Sequence, residues 1–316
     1  MAKPIYAGSY NNRGGGRWKT VFVVIILIQV ALVAAYLIWS RGEKADSENV
    51  DVPAPSAPEL MEPAPLDLGP APITAVEASP AVKARISDAR SALVAGQLTD
   101  AKTILDRIVA DTPDAEAIKL LGEVNIKLLK SPVLIPGKEY YAIQSGDYLQ
   151  KIAKKYNTTV PLIKTMNGME TDTIRAGARL MVYNGDFNLR VSKGQNTLDL
   201  MAGDALFKRY SVGTGKFGKT PAVAFEIVDK ITEPPWTRPS DNKQIEYGDE
   251  ENVLGTRWMK IVSAEHPEIT GFGIHGTWER GSIGQQSSAG CIRMLNEDVE
   301  ELFDLVPRKT TVIITE

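Results

Sequence analysis

The sequence has very few of the residues that build metal centres and disulfide frameworks. Its 316 residues include one cysteine, Cys291, and two histidines, His266 and His275. A single cysteine excludes an internal disulfide framework and any zinc or iron–sulfur site that needs several thiolates. If Cys291 is a nucleophile, only His266 or His275 can assist it as an imidazole base. Because no two of these ligands share a short chelating spacing, we expect neither a metal site nor a cofactor.

A strong overall charge is also missing, since 36 Lys and Arg face 39 Asp and Glu. No segment is basic enough to indicate nucleic acid binding. The 43% hydrophobic content excludes a wholly disordered chain, and the length indicates two or three modules. The charges are nevertheless uneven. Residues 1–20 carry four bases and no acid, whereas residues 41–80 carry eight acids and two bases.

An apolar run of 19 residues, 21–39, separates these two blocks and is interrupted only by Gln29. At about 1.5 Å per residue it nearly covers the ~30 Å of a bilayer core. A cleaved signal peptide is the alternative, but its apolar region is usually shorter and ends in small residues. We therefore predict a cytoplasmic tail (1–20) and an uncleaved transmembrane helix (21–39). The basic residues before it place the N-terminus in the cytoplasm and the remainder in the periplasm or cell wall space.

Residues 40–80 form an acidic linker that is rich in proline and therefore favours extended, polyproline-like states. A Pro-rich ligand for another domain is the alternative. Residues 81–131 then show helical spacing in three stretches, with Thr99 expected to cap the second helix and Thr112-Pro113 to start the third. The segment resembles one and a half tetratricopeptide repeats. It is either a helical spacer or a module that binds a protein partner.

Residues 137–184 predict a compact strand–helix–helix–strand unit. Apolar residues after the Gly146-Asp147 turn fall at i, i+3, i+4 and i+7, and Thr158 or Thr159 can cap a second helix that ends at Asn167-Gly168. The segment resembles a LysM domain, whose groove holds glycans that contain N-acetylglucosamine. The resemblance implies these groove positions: Gly146, Asp147, Tyr148, Ile174 and Ala176. Gly146 and Asp147 are also ordinary turn residues.

From residue 187 onward the pattern predicts mainly β-strands, with one helix at 296–306. Near the end, His275-Gly276-Thr277 precedes the segment 288–294, which contains Cys291. A thiol needs a neighbouring base or positive charge to act as a nucleophile, and His275 is the candidate base. Gly276 and Gly290 allow backbone amides to approach an oxyanion. Arg293 shares a face with Cys291 in an extended segment, where it lowers the thiol pKa or holds a substrate carboxylate. A buried, inert cysteine is the alternative.

Residues 187–316 resemble the L,D-transpeptidase catalytic domain. The matching features are Val212-Gly213-Thr214-Gly215, Thr220-Pro221, Trp236, Leu254-Gly255, His275-Gly276-Thr277, Ile283-Gly284, Asp298-Val299 and Ser288-x-Gly290-Cys291-Ile292-Arg293-Met294. The resemblance implies a β-sandwich-like sheet structure and a cysteine that is acylated by a peptidoglycan stem, with Ser288 and Arg293 ordering the site. Two departures stand out. Position 289 is Ala where many members have His, and the turn after Thr220-Pro221 lacks the family's glycine.

The sequence therefore predicts a multidomain α+β protein with a transmembrane helix, a tetratricopeptide-like segment, a βααβ LysM domain and a mainly β catalytic domain. The expected activity is peptidoglycan L,D-transpeptidation through a Cys291 thioester. Two alternatives stay open. One is a tethering protein with a degenerate catalytic domain, and the other is a carboxypeptidase that uses water as the acceptor.

Overall fold

A computed structural model describes residues 79–316. The predicted tail, transmembrane helix and nearly all of the linker lie outside the described residues. Within residues 79–316, no helix combines the length and the apolar character needed to cross a bilayer. These residues belong to one compact unit.

The helical segment contains three consecutive helices. They are α1 (Pro80–Val94), α2 (Leu98–Asp111) and α3 (Ala115–Lys130). The expected cap at Thr99 is wrong, because α2 already begins at Leu98 and Thr99 lies in its first turn. Thr112-Pro113 does not start α3 either. Asp114 caps that helix, since its Oδ1 accepts the N–H groups of Glu116 and Ala117 at 2.9 and 3.0 Å.

The LysM segment has the predicted order of elements. It consists of β1 (Lys138–Ala142), α4 (Leu149–Lys155), α5 (Val160–Asn167) and β2 (Arg179–Tyr183). The two strands pair antiparallel. Thr159 caps α5 by accepting the Leu162 N–H at 3.1 Å, and Gly168 ends the helix with a positive φ of 61°. The sequence pattern predicted this order because the apolar spacing and the end of α5 at Gly168 are both local signals.

The C-terminal part is built mainly on strands, as predicted. They are β3 (Phe187–Ser192), β4 (Thr197–Ala202), β5 (Ala205–Ser211), β6 (Thr214–Gly215), β7 (Ala224–Thr232), β8 (Trp236–Thr237), β9 (Gln244–Ile245), β10 (Arg257–Val262), β11 (Gly273–His275), β12 (Gln286–Ser288), β13 (Ile292–Arg293) and β14 (Thr311–Thr315). The helix α6 spans Asn296–Leu305. Two 3-10 turns lie at Lys216–Gly218 and Arg280–Ser282.

Eight of these strands form one mixed sheet in the order β13-β11-β10-β7-β14-β3-β4-β5. The sandwich-like arrangement implied by the resemblance is thus one continuous hydrogen-bonded sheet, with the pairs β6–β12 and β8–β9 as small additions. Helix α6 buries Val299, Leu302 and Leu305 in the same core as the sheet. Two parallel pairings, β3 with β14 and β11 with β13, distinguish the sheet from a simple meander.

The largest hydrophobic core joins all three described segments. It includes Ile126 and Leu129 from α3 and Leu162 and Met166 from α5, together with the inner side chains of the sheet. Polar contacts reinforce this junction. The buried Asn125 donates from Nδ2 to the Phe207 carbonyl at 2.8 Å, and the Thr159 hydroxyl donates to the Asp304 carbonyl. The inner face of α3 is therefore used within the chain, and a protein partner for residues 81–131 stays an untested prediction.

Candidate active site

The parallel pair β11–β13 brings the predicted catalytic residues to one face of the sheet. Its register places Ile274 opposite Ile292 and His275 opposite Arg293. Paired residues project to the same face, and every second residue of a strand shares a face. Cys291, immediately before β13, therefore lies on the face of His275 and Arg293. On the other side of β11, Trp258 of β10 is paired with His275 and belongs to this face as well.

These side chains line a cavity of about 530 Å³. Of the predicted site residues, the cavity brings together His275, Ser288, Gly290, Cys291 and Arg293 but not Gly276. Sequence reasoning missed much of the remaining lining, such as Ile231, Pro235, Val253, Trp258, Thr270, Gly271 and Phe272. Residues 234–239 contain three prolines and Trp236. This composition was the available sequence signal that the segment lies over the cavity.

The Cys291 thiol is uncharged in the resting site. Burial raises its pKa, whereas the Gly273 backbone N–H and the Arg293 guanidinium act in the opposite direction. The thiol donates a weak hydrogen bond to the Gly271 carbonyl, with Sγ and O 3.7 Å apart. The predicted effect of Arg293 thus has the right sign but is smaller than the desolvation of the thiolate. Any nucleophilic role of this sulfur would therefore require a base that removes the thiol proton.

His275 has the protonation state that this task requires. Its side chain is buried, and its Nδ1 lies 2.6 Å from the Gly276 carbonyl oxygen. Because a carbonyl only accepts, Nδ1 carries the ring proton and Nε2 keeps a lone pair. Burial is the main reason that the pKa of His275 is lowered to about 4, so the ring is neutral at pH 7. The imidazole lies beside the Trp258 ring, with centroids 5.7 Å apart.

The two glycine amides expected to serve an oxyanion are already engaged. The Gly276 N–H donates to the Arg257 carbonyl at 3.2 Å, and the Gly290 N–H donates to Ser288 Oγ at 3.0 Å. In this structure Gly276 contacts His275 through its carbonyl oxygen, and its own N–H is not available to an oxyanion. A Cβ at position 276 would lie 2.1 Å from Asn296 Oδ1, so a larger residue there would displace the side chain that accepts the Thr256 N–H.

Ser288 shapes the turn that carries the cysteine. Its hydroxyl donates to the Cys291 carbonyl at 2.7 Å while accepting the Gly290 N–H. From the other side, Thr220 Oγ1 donates to the Gly290 carbonyl at 2.7 Å and accepts the Gly215 N–H at 2.8 Å. The Thr220-Pro221 turn therefore supports the cysteine turn even without the family's glycine, a link that sequence spacing did not reveal.

Arg293 is held at the cavity by a partner that the sequence analysis overlooked. Its Nη1 lies 3.2 Å from Glu279 Oε2, and its backbone exchanges hydrogen bonds of 2.8 Å with Gly213. His266 lies elsewhere, beside Glu268, and does not line the cavity. Of the two histidines, only His275 lines the cavity together with Cys291. Ala289 is exposed at the cavity, so the position occupied by His in many members is open here.

In the LysM segment, the predicted groove residues differ in availability. The Asp147 side chain is 2% exposed, and its Oδ2 accepts from the Tyr141 hydroxyl at 2.6 Å and the Gln144 N–H at 2.9 Å. These bonds and Lys151 hold the pKa of Asp147 far below its usual range. Tyr148 is 58% exposed. A bond of 2.9 Å from the Gly177 N–H to the Ile143 carbonyl brings the loop containing Ile174 and Ala176 to the same end of β1.

The buried neutral His275 predicts a pH dependence of stability. Its folded pKa, about 4, lies below the ordinary 6.5, so protons bind the unfolded chain preferentially. This stabilisation is complete above pH 6.5 and is lost as the pH falls towards 4. It amounts to about 3 kcal/mol. We expect the free energy of unfolding of the wild type, relative to His275→Gln, to fall by about that amount between pH 7 and pH 4 in urea titrations. A constant difference would contradict a buried neutral imidazole.

Comparisons with known proteins agree with this geometry. The profile of the YkuD L,D-transpeptidase catalytic domain matches residues 187–314, and that of the LysM domain matches residues 141–182. The L,D-transpeptidase-family protein YkuD of Bacillus licheniformis is 32% identical over 183 residues, which cover 55% of this chain and 98% of that protein.

A second relative and a solved structure are also similar to this chain. YqjB of Bacillus subtilis, named for the same activity, is 37% identical over 133 residues, which cover 42% of this chain and 73% of that protein. The solved catalytic domain of an E. faecium L,D-transpeptidase is 24% identical and covers 41% of this chain and 97% of that domain, with a TM-score of 0.33. The similarity to YkuD spans nearly the whole of that protein, and the chain belongs to the YkuD family of L,D-transpeptidases.

Proposed function

We propose that this protein is a cysteine-dependent peptidoglycan L,D-transpeptidase in which Cys291 forms a thioester with a tetrapeptide stem. The observation that supports this most directly is the shared face of β11 and β13, where Cys291, His275 and Arg293 line one cavity. The family membership narrows the reaction to peptidoglycan. All chemistry in this proposal uses side chains and backbone groups of the chain itself.

The first half-reaction acylates the cysteine. His275 Nε2 accepts the thiol proton while Sγ attacks the carbonyl on the L-side of an L–D peptide bond. The Cys291 N–H is the proposed oxyanion donor, since Ser288 occupies the N–H of Gly290. The C–N bond then breaks, and the imidazolium returns its proton to the leaving amine of the terminal D-residue. The Arg293 guanidinium attracts the carboxylate of that residue at the cavity.

The second half-reaction transfers the acyl group to an amine of a second stem. The neutral amine attacks the thioester carbon, His275 Nε2 takes a proton from it, and the C–S bond breaks. The same proton is delivered to Sγ, which regenerates the thiol. Water in place of the amine gives a carboxypeptidase reaction with the same proton path. The ratio of transfer to hydrolysis depends on how the acceptor amine is bound at the site.

A tethering protein without catalysis is less consistent with the site. The Ala289 departure leaves the hydrogen bond from His275 to Gly276 and the cavity lining in place. A carbapenem discriminates between the two functions, because an active site is labelled covalently at Cys291 and a degenerate one is not.

Removing the thiol tests the proposed function. With purified tetrapeptide muropeptides, Cys291→Ala is expected to release the terminal D-residue at least about 10³-fold more slowly than the wild type, and His275→Gln about 10²- to 10⁴-fold more slowly. Mass spectrometry of the products measures both. His266→Gln is the matched control and keeps the wild-type rate. Release by Cys291→Ala at a comparable rate would refute the assignment.

For the LysM domain we propose a glycan groove between the first turn and the loop at residues 174–176. Tyr148 and Ala176 supply exposed surface there, while Asp147 fixes the turn. Binding to glycan strands raises the local concentration of stems near the catalytic domain.

Two similarly exposed tyrosines give a matched test of this groove. Tyr148 is 58% exposed in the turn, and Tyr140 is 49% exposed on β1. Tyr148→Ala is expected to weaken binding to purified cell walls by about tenfold because one stacking ring is lost. Tyr140→Ala should bind like the wild type in the same sedimentation assay. Equal losses in both variants would argue against a groove at the turn.

We also propose that residues 21–39 anchor the protein in the cytoplasmic membrane, with its C-terminal domains in the periplasm or cell wall space. The support is the apolar run and the basic residues before it. The full-length protein should remain with membranes after alkaline carbonate extraction and should be cleaved by protease added outside the membrane. Its recovery as a shortened, extractable chain would indicate a cleaved signal peptide instead.

A further inference from the structure

A second cavity differs in chemistry from the one that contains Cys291. It has a volume of about 420 Å³ and is lined by Tyr247, Gly248, Asp249, Glu250 and Trp278, none of which is basic. The rings of Tyr247 and Trp278 are tilted at 44° with centroids 6.4 Å apart. Trp278 is 53% exposed, which is unusual for this residue type. We call this the aromatic cleft.

The aromatic cleft is connected to the reactive cavity through two chain segments. Trp278 follows His275 by three positions and precedes Glu279, which pairs with Arg293 at 3.2 Å. On the other side, the loop that carries Tyr247 continues into Val253 and Leu254, which line the reactive cavity. A group held in the aromatic cleft is therefore held by the same segments that shape the reactive site.

The loop of the aromatic cleft is rigidly built around Asn252. This buried side chain donates from Nδ2 to the carbonyls of Pro234 and Ile245 at 2.9 and 3.2 Å. Its Oδ1 accepts the Leu254 N–H at 2.9 Å. Because Asn252 bonds to both sides of the loop, the cleft is formed without a ligand, which lowers the entropy cost of binding.

The charges at the aromatic cleft are negative and only partly neutralised. Asp249 accepts the Glu251 N–H at 2.9 Å in a local turn, and Glu251 is paired with Arg238 at 2.7 Å. Glu250 lines the cleft with no hydrogen bond or ion pair to any residue in the part of the chain described. The reactive cavity, in contrast, contains the guanidinium of Arg293. The two cavities thus suit groups of opposite charge.

We propose that the aromatic cleft binds the ammonium group of the acceptor, a primary alkylamine on a second stem. A cation is attracted to aromatic rings, and two such rings line this cleft. The Glu250 carboxylate adds an opposite charge without needing to break an existing bond. A neutral sugar ring is the rival occupant, but it would stack on a single flat face. This inference rests on the proposed function and specifies its acceptor.

The bound ammonium is the protonated, non-nucleophilic form of the acceptor amine. It releases one proton to solvent as it leaves the cleft for the thioester. The resulting amine attacks the thioester carbon and gives its second proton to His275 Nε2, which passes it to the departing Sγ. One amide and one thiol are formed from one thioester and one ammonium, with one proton released.

The experiment compares binding and transfer in the full-length protein. Calorimetry in a Cys291→Ala background measures the affinity of a stem peptide with a free side-chain amine and of the same peptide with that amine acetylated. The free amine should bind about fivefold more tightly than the acetylated form. Glu250→Gln and Trp278→Leu should each remove that difference, whereas Glu226→Gln, at an exposed acid on β7, should preserve it. With Cys291 present, the ratio of transfer to hydrolysis should fall about fivefold in the two cleft variants.

Equal affinity for the free and acetylated peptides, or unchanged affinity in both cleft variants, would overturn the proposal. So would binding of a peptide-free disaccharide that depends on Trp278, since the cleft would then be a sugar platform. If the proposed function itself is wrong, the wild type releases no D-residue. The binding measurement is independent of that release and stays valid.

Discussion

The parallel pairing of β11 with β13 is the constraint on which the site depends. These strands are separated in the chain by the loop containing Trp278 and by β12, yet their register fixes His275 beside Arg293 and sets Cys291 on the same face. Close approach on this face needs glycine. A Cβ at Gly273 would lie 2.4 Å from the Trp258 ring, so only glycine lets the indole cover β11 next to the cysteine. A shift of this register by one residue would turn Cys291 and Arg293 to the face opposite His275.

Burial gives the site its electrostatic character. Desolvation lowers the pKa of His275 and raises that of Cys291, so both groups are neutral at rest. This arrangement disfavours a preformed thiolate–imidazolium pair and couples proton transfer to attack. It also limits oxidation of this lone cysteine, because oxidation follows thiolate character. The single cysteine is thus compatible with an extracytoplasmic location as well as with catalysis.

Much of this site could be predicted because motif residues and strand ends coincide. The βααβ order of the LysM segment, the strand at His275 and the helix after Met294 all followed from local patterns. The amide roles of Gly276 and Gly290 could not be predicted, because they depend on Arg257 and Ser288 as partners of the N–H groups. The predicted start of α3 was wrong because Asp114, rather than Thr112, accepts the first N–H groups of that helix. Helix α2 begins at Leu98 with no side-chain cap, so no capping residue marked its start in the sequence. The core that joins Leu129 to Leu162 involves contacts between distant segments, which no periodicity reveals.

The central claim is that Cys291 carries the acyl group between two stems. The most direct measurement is intact-protein mass spectrometry after rapid acid quenching of the wild type with a tetrapeptide stem, followed by peptide mapping. We expect an adduct equal in mass to the stem without its terminal D-residue, attached at Cys291 and removed by adding an acceptor amine. Release of the D-residue without any adduct at Cys291, under conditions in which a carbapenem adduct survives the same quench, would contradict it.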